Sequence, residues 1–103
     1  MCVLKFMFEY GNDSSCIWSV NQKANDNFGY GSIEHELLGI SDVLNLKMVA
    51  LCIEFQSSLN WGNPSAPSPW TDEQREDFNK RAQQAYDDLV NELSEKYEVE
   101  YWV

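Results

Sequence analysis

The strongest constraint in this sequence is a long amphipathic segment that begins at residue 71. Thr71-Asp72-Glu73-Gln74 forms a capping box, T-x-x-Q, in which two side chains satisfy free amide groups at the start of a helix. Apolar residues then recur every three or four positions, at Phe78, Ala82, Ala85, Leu89 and Leu93. This spacing places them on one helical face. We therefore expect a helix from Asp72 to Tyr97, about 26 residues and about 39 Å long.

A second helix is expected after Ser41, whose hydroxyl can cap a helix that has Asp42 in its first turn. The run that follows is apolar nearly all round, and only Lys47 and Glu54 share a narrow polar stripe. A helix of this kind should be packed between other elements. A buried strand over Met48–Phe55 is the alternative, because Val, Cys, Ile and Phe favour sheets. The length of the run and its start signal favour the helix.

Three segments are predicted to form strands, and in two of them apolar and polar residues alternate, which is typical of strands. In residues 2–10 the apolar face carries Leu4, Phe6, Phe8 and Tyr10, and residues 16–20 can pair back as a hairpin across a turn at 11–14. Residues 98–103 alternate again and predict a closing strand. The composition of residues 21–32 and 60–70 indicates loops, and residues 33–40 could form a short strand or an extended lead-in.

The order of these elements, β-β-α-α-β, predicts an α+β fold. We expect a small antiparallel sheet, made of the hairpin and the C-terminal strand, with two helices covering one face. The length of 103 residues predicts a single domain over residues 1–103. No segment is apolar and long enough to cross a bilayer, and the N-terminus lacks a signal-peptide pattern. These features predict a cytoplasmic protein.

Side chains that could carry out chemistry are few. Cys2, Cys16 and Cys52 are odd in number and lie in apolar runs, so we expect buried, reduced thiols. His35, the one histidine, stands between Glu34 and Glu36, but adjacent side chains point in different directions and cannot converge on one metal ion. We expect His35 at the surface. No nucleophile triad, phosphate loop or metal motif is present, so we predict no enzyme activity, catalytic residue, metal site or cofactor.

Charge is the most informative remaining feature. The chain has 17 acidic and 7 basic residues, a net charge of −10, which argues against direct binding to nucleic acid. In the long helix, Glu76–Lys80 and Asp77–Arg81 are spaced to form ion pairs within the helix. The acids of its second half have only Lys96 nearby in sequence. They form either a solvated face or a surface that meets a basic partner.

The loop at 60–70 is stiffened by prolines and bracketed by two tryptophans. We expect Trp61 to close one end of the core, whereas Trp70 could either pack there or anchor an interface. Together with the acids, the loop gives a predicted partner-binding set: Trp70, Asp72, Glu73, Asp77, Asp87, Asp88, Glu92 and Glu95.

Part of the sequence resembles a known class of proteins. The stretch Ser58-Leu59-Asn60-Trp61-Gly62-Asn63-Pro64 is followed by Pro69-Trp70-Thr71, the long helix, Glu92-Leu93, and Tyr97-Glu98-Val99-Glu100-Tyr101. Over residues 38–103 this layout resembles the small acidic bacterial immunity proteins of contact-dependent inhibition and other polymorphic toxin systems. The resemblance implies a protein that is monomeric when free, binds a cognate toxin and blocks its active site or substrate groove. Nuclease grooves are basic, so the charge makes a nuclease the expected toxin.

Two other functions fit the same sequence. An acidic inhibitor of the phage type, which mimics nucleic acid, should bind several unrelated basic proteins. An interaction subunit of a larger assembly should expose a large apolar patch when isolated. An immunity protein should instead bind one partner, with association that depends strongly on salt.

Overall fold

A computed structural model describes residues 1–103. Its elements are β1 (Cys2–Phe6), β2 (Ile17–Ser19), α1 (Gln22–Phe28), a 3-10 turn (His35–Leu38), α2 (Asp42–Gln56), α3 (Asp72–Leu93) and β3 (Tyr97–Tyr101). The α+β class and the order of the two strands, two long helices and last strand are as expected. The ambiguous segment before α2 forms the 3-10 turn, preceded by one bridge between Trp18 and Ser32.

The three-stranded sheet has the order β2-β1-β3. β1 pairs antiparallel with β2, as the hairpin requires, but it pairs parallel with β3, from Cys2 beside Tyr97 to Phe6 beside Tyr101. The prediction of an all-antiparallel sheet was therefore wrong. The cause is the direction of α3, which starts near Phe8, just after β1, and runs back toward the start of that strand. The strand after α3 must then run the same way as β1, as in a helical crossover.

Residues 22–28 form α1, although their composition indicated a loop. Asn21 explains the difference, because its side-chain oxygen caps the helix at the Ala24 amide, 3.0 Å away, and also accepts from the Val3 amide of β1. Ala24 is fully buried, while the other residues of α1 are largely polar. A seven-residue helix that buries one small side chain leaves little trace in a hydrophobic pattern.

The two long helices begin where their caps predicted. Ser41 caps α2, and Thr71 and Gln74 form the complete capping box of α3. Residues 48–55 are helical, so the strand alternative is excluded. α3 ends at Leu93 rather than Tyr97, because Ser94 leaves the helical conformation with a positive φ of 54° and a tight turn joins the Lys96 amide to the Leu93 carbonyl. Tyr97 thus begins β3.

The core lies between the sheet and α3. All five apolar residues predicted on the buried face of α3 are buried, together with Leu4, Phe6 and Phe8 of the first predicted strand. Phe8 contacts Phe55 and Phe78, with ring centroids 5.5 and 5.1 Å apart. These rings join the sheet, α2 and α3, and the Tyr86 hydroxyl donates to the Val99 carbonyl at 2.8 Å to fix α3 against β3.

α2 is not packed between other elements, contrary to expectation. Leu44, Met48, Leu51 and Cys52 are buried on one side. On the other side Val43, Leu46 and Ile53 are 68%, 69% and 56% exposed, and Ala50 is also exposed. The helices cover one face of the sheet in a single layer, so nothing lies outside α2. We call Val43, Leu46, Ala50 and Ile53 the α2 stripe.

His35 is buried, with 1% of its surface exposed, so the expectation of a surface histidine was wrong. Its Nδ1 donates to the Asn45 side-chain oxygen at 2.9 Å, and its Nε2 accepts from the Cys16 amide at 3.2 Å. This pattern defines a neutral imidazole with the proton on Nδ1. His35 therefore connects α2 to the chain before β2. The flanking acids pointed to the surface, but the 3-10 turn directs His35 inward and leaves Glu34 and Glu36 exposed.

The three cysteines are free and buried, as expected. Burial raises the pKa of the Cys16 thiol, and the neighbouring Cys52 thiol raises it further. A thiol with a raised pKa in an apolar environment is a poor nucleophile. These two cysteines therefore act as small core residues.

The buried His35 should make stability depend on pH. Burial lowers the pKa of the imidazole, and the Asn45 hydrogen bond and the Glu36 charge oppose that shift only in part. The unfolded chain, with a histidine pKa of about 6.5, therefore binds more protons than the folded chain as the pH falls. The stability that the neutral, buried His35 contributes is therefore fully present above a pH of about 6.5 and is lost as the pH falls below it. The free energy of unfolding should drop by up to about 1.4 kcal/mol per pH unit below that point.

Urea denaturation at several pH values from about 7.5 to 5 would measure this slope. The control is His35→Gln, which is expected to be less stable but to show a nearly flat profile over the same range. Parallel profiles for the two proteins would contradict the assignment to His35.

Candidate protein-binding surface

The first half of α3 uses its acids to hold α2. Arg81 forms a two-point contact with Glu54 of α2, at 2.7 and 2.8 Å, and its Nε donates to Asp77 at 2.9 Å. The hydrogen bond to Glu54 is the main reason that the pKa of Arg81 is raised, so this guanidinium stays charged. Asp77 therefore has an intramolecular partner, as the i,i+4 spacing predicted.

The second half of α3 also has partners, which the sequence did not reveal. Asp88 lies 3.5 Å from the Lys47 ammonium of α2. Glu92 accepts from the Ser41 amide at 2.6 Å and from the Ser41 hydroxyl at 2.7 Å. It thereby holds the start of α2, where a negative charge also suits the helix dipole. The expectation that only Lys96 could pair with the acids of the second half was therefore wrong for Asp88 and Glu92, whose partners Lys47 and Ser41 lie in α2 and at its start.

The remaining acids of the predicted site make fewer contacts within the chain. Asp72 and Glu73 lie exposed in the first turn of α3, where their negative charges interact favourably with the helix dipole. Asp87 accepts only from Gln83 on the same helix, at 3.0 Å. Glu95 is exposed beyond the end of α3 and has no salt bridge or side-chain hydrogen bond. Asp87 and Glu95 are thus the acids of the second half that are most free to meet a partner.

Trp70 is half-buried and belongs mainly to the core. Its ring packs on Phe78 with centroids 5.0 Å apart, and its Nε1 donates to the Ser57 hydroxyl at 2.8 Å. Trp61 is 57% exposed, so it does not close the core as expected. Its Nε1 instead donates to the Gln56 carbonyl at the end of α2, at 2.7 Å. Trp61 thus binds a free helix carbonyl, and its partly exposed ring packs edge-to-face on Tyr10 with centroids 6.1 Å apart.

The predicted residues do not form one cluster. Asp77, Asp88 and Glu92 lie along the side of α3 that faces α2, whereas Asp72, Glu73 and Trp70 lie at the beginning of α3. Sequence reasoning missed the surface beside the first group, the α2 stripe. The sequence of α2 does carry a signal for this surface, because it is apolar nearly all round, but such a pattern also predicts a helix buried on every side. A helix that is apolar on both sides can equally have one side reserved for another molecule.

The surface around the α2 stripe has an acidic border. On the α3 side lie Asp77 and Asp88, with Arg81 and Lys47 paired to acids. On the other side Glu34 and Glu36 line a shallow depression with Val49 of α2. Glu36 also accepts a long hydrogen bond from Asn45, at 3.4 Å. This arrangement, an apolar centre with charges around it, is the organisation of a protein-binding surface.

The structure contains no group of three His, Cys, Asp or Glu side chains arranged to hold a metal ion. None of its helices combines the length and the apolar character that a membrane span needs.

Comparison with known families gives a clear result. A family model described as Serratia CdiI immunity protein-like matches residues 3–103. The match covers almost the whole chain, and the chain belongs to this family of contact-dependent inhibition immunity proteins. Membership supports an immunity, or antitoxin, role. No curated protein matches the sequence.

The contact between Glu92 and Ser41 should stabilise the fold. Glu92→Gln removes the charge and one of two acceptor oxygens, so it is expected to lower the free energy of unfolding by about 1 kcal/mol. Glu95→Gln is the matched control, because that carboxylate has no partner, and it should change stability by less than about 0.5 kcal/mol. Urea denaturation at pH 7 measures both. Equal changes in the free energy of unfolding for the two substitutions would show that the contact between Glu92 and Ser41 does not stabilise the fold.

Proposed function

We propose that this protein neutralises a cognate toxin domain by binding it directly, without catalysis, and that the toxin is a nuclease whose basic substrate groove it occupies. Membership of the CdiI immunity protein-like family over residues 3–103 is the observation that carries the antitoxin role. The acidic surface supports the choice of a nuclease, because a groove that holds phosphates must be basic.

The charge of the chain suits this mechanism. A net charge of −10 would draw the protein toward a basic groove and increase the association rate. The acids of α3 would then compete with phosphate for the same Lys and Arg side chains. We assign this role to Asp72, Glu73, Asp77, Asp87, Asp88, Glu92 and Glu95, with Asp87 and Glu95 contributing most because they have the fewest partners within the chain.

We also place this binding in the cytoplasm. Three buried, unpaired cysteines support a reducing compartment. Nucleic acid, the substrate of the proposed toxin, is found there as well.

A subunit of a larger assembly is the second candidate, and the exposed α2 stripe is the observation in its favour. The size of the stripe argues against it. The stripe spans about 15 Å along one helix, whereas obligate interfaces bury more than about 2,000 Å² in total. Purified alone, an obligate subunit should aggregate or self-associate, and an immunity protein should stay monomeric.

The direct test is a viability assay with the gene immediately upstream of this one. We expect that expressing the C-terminal region of its product kills sensitive cells and that coexpressing this protein restores growth. The purified toxin region should degrade DNA or RNA, and an equimolar amount of this protein should stop the degradation. Killing without rescue would contradict the antitoxin role, and rescue from a toxin with no nuclease activity would contradict only the nuclease assignment.

The acids should act mainly on the association rate. The double variant Asp87→Lys with Glu95→Lys should associate with the toxin region about 10-fold more slowly at low salt, and this difference should disappear near 0.5 M salt. Stopped-flow mixing or biolayer interferometry would measure the rates.

The double variant Asp26→Lys with Glu98→Lys is the matched control. It makes the same change in net charge on α1 and β3. Equal slowing by both variants would show that net charge matters and that the position of the acids on α3 does not.

A further inference from the structure

The α2 stripe does not stabilise the fold of the isolated chain. Its three large side chains stay more than half exposed, while the buried residues of α2 lie on the opposite side. Two of them, Val43 and Ile53, are β-branched, and such residues are slightly unfavourable in helices. Gln, Glu or Lys at these positions would suit an exposed helix better. The apolar residues therefore need an explanation outside folding.

The stripe is continuous and rigidly held. Positions 43, 46, 50 and 53 follow helical spacing, so the four side chains form one line about 15 Å long. α2 is fixed at its start by Glu92, in its middle by Asp88 through Lys47, and near its end by Arg81 through Glu54. A side chain on such a helix loses little freedom on binding, which favours affinity.

Charges around the stripe determine what can cover it. Asp42 precedes it, Glu34 and Glu36 lie on one side, and Asp77 and Asp88 lie on the other. The only basic residues beside it, Lys47 and Arg81, are already paired with acids. A second copy of this chain would bring acid against acid, since each copy carries a charge of −10. An anionic membrane or nucleic acid is excluded for the same reason.

From this geometry we infer that the α2 stripe is the apolar anchor of the toxin interface, and that it docks into an apolar depression bordered by Lys and Arg on the toxin domain. This inference rests on the proposed antitoxin function and specifies the surface that performs it. The acids bring the partner in and orient it, and the stripe holds it. Leu46, the most exposed of the three large side chains and near the centre of the line, is the expected hot spot.

The test uses the full chain and, as the probe, the C-terminal toxin region encoded immediately upstream. Leu46→Gln should weaken binding about 10-fold, and Val43→Gln with Leu46→Gln about 100-fold, mainly through faster dissociation. Gln is a good helix former, so the melting temperature should stay the same or rise. The salt dependence of the association rate should also be unchanged, because no charge is altered.

Val90→Gln is the matched control. Val90 is an exposed apolar helical residue on α3, outside the α2 stripe, and its replacement should leave binding unchanged. Circular dichroism and thermal melting establish that each variant is folded. Leu46→Gln alone is the milder variant that keeps the test possible if the double variant is unstable.

The possible outcomes separate the two proposals. If the wild-type protein neither binds nor neutralises the toxin region, the proposed function fails and this inference fails with it. If the wild-type protein binds and the double Gln variant binds equally well, the function stands and the stripe is not the anchor. Equal weakening by folded Val90→Gln would also overturn the stripe as the anchor. A wild-type dimer that the double Gln variant converts to a monomer would show that a second copy is the occupant.

Discussion

The packing of α3 on the sheet is the constraint on which the rest of the structure depends. One face of α3 buries Phe78, Ala82, Ala85, Leu89 and Leu93, and Phe78 meets Phe8 just beyond the end of β1. This contact sets the direction of α3, and the direction of α3 sets β3 parallel to β1. The sheet and α3 then leave one place for α2, alongside α3 and against Phe8. An apolar helix packed there can bury only one of its sides, so the exposed α2 stripe is a consequence of the same packing.

Electrostatic contacts between helices explain how a chain with this much negative charge holds α2 in place. Lys47 and Arg81 each bridge the two helices, and Glu92 binds the start of α2 through Ser41. Exposed ion pairs of this kind contribute little each, but a fixed geometry at three points limits rotation of α2 about its axis. The acids of α3 thus differ in their contacts within the chain. Asp77, Asp88 and Glu92 help to orient α2, whereas Asp87 and Glu95 have no partner on that helix.

Local signals in the sequence predicted much of this fold. The features that the sequence did not predict depend on contacts between distant segments. The caps at Ser41 and Thr71 and the spacing of the buried residues of α3 located both long helices, because these features act within a few residues. The parallel pairing of β3, the burial of His35 and the partners of Asp88 and Glu92 all depend on segments that meet only after folding. For the candidate surface, charge in the sequence pointed to the acids of α3. It did not point to the α2 stripe, because an apolar repeat shows that residues can be covered but not whether the core or a partner covers them.

An antitoxin that worked by charge alone would have little specificity, because any basic groove attracts an acidic protein. Specificity requires contacts that depend on shape, and exposed apolar side chains on a rigid helix supply them. The two halves of this surface are therefore complementary in kinetic terms. Charge sets how quickly a basic partner is found, and it affects all such partners alike, whereas an apolar anchor sets how long the right one is retained. A protein of this family that must neutralise one toxin and ignore the basic proteins of its own cell needs both. The helix that presents Val43, Leu46, Ala50 and Ile53 between acidic borders combines them on one face.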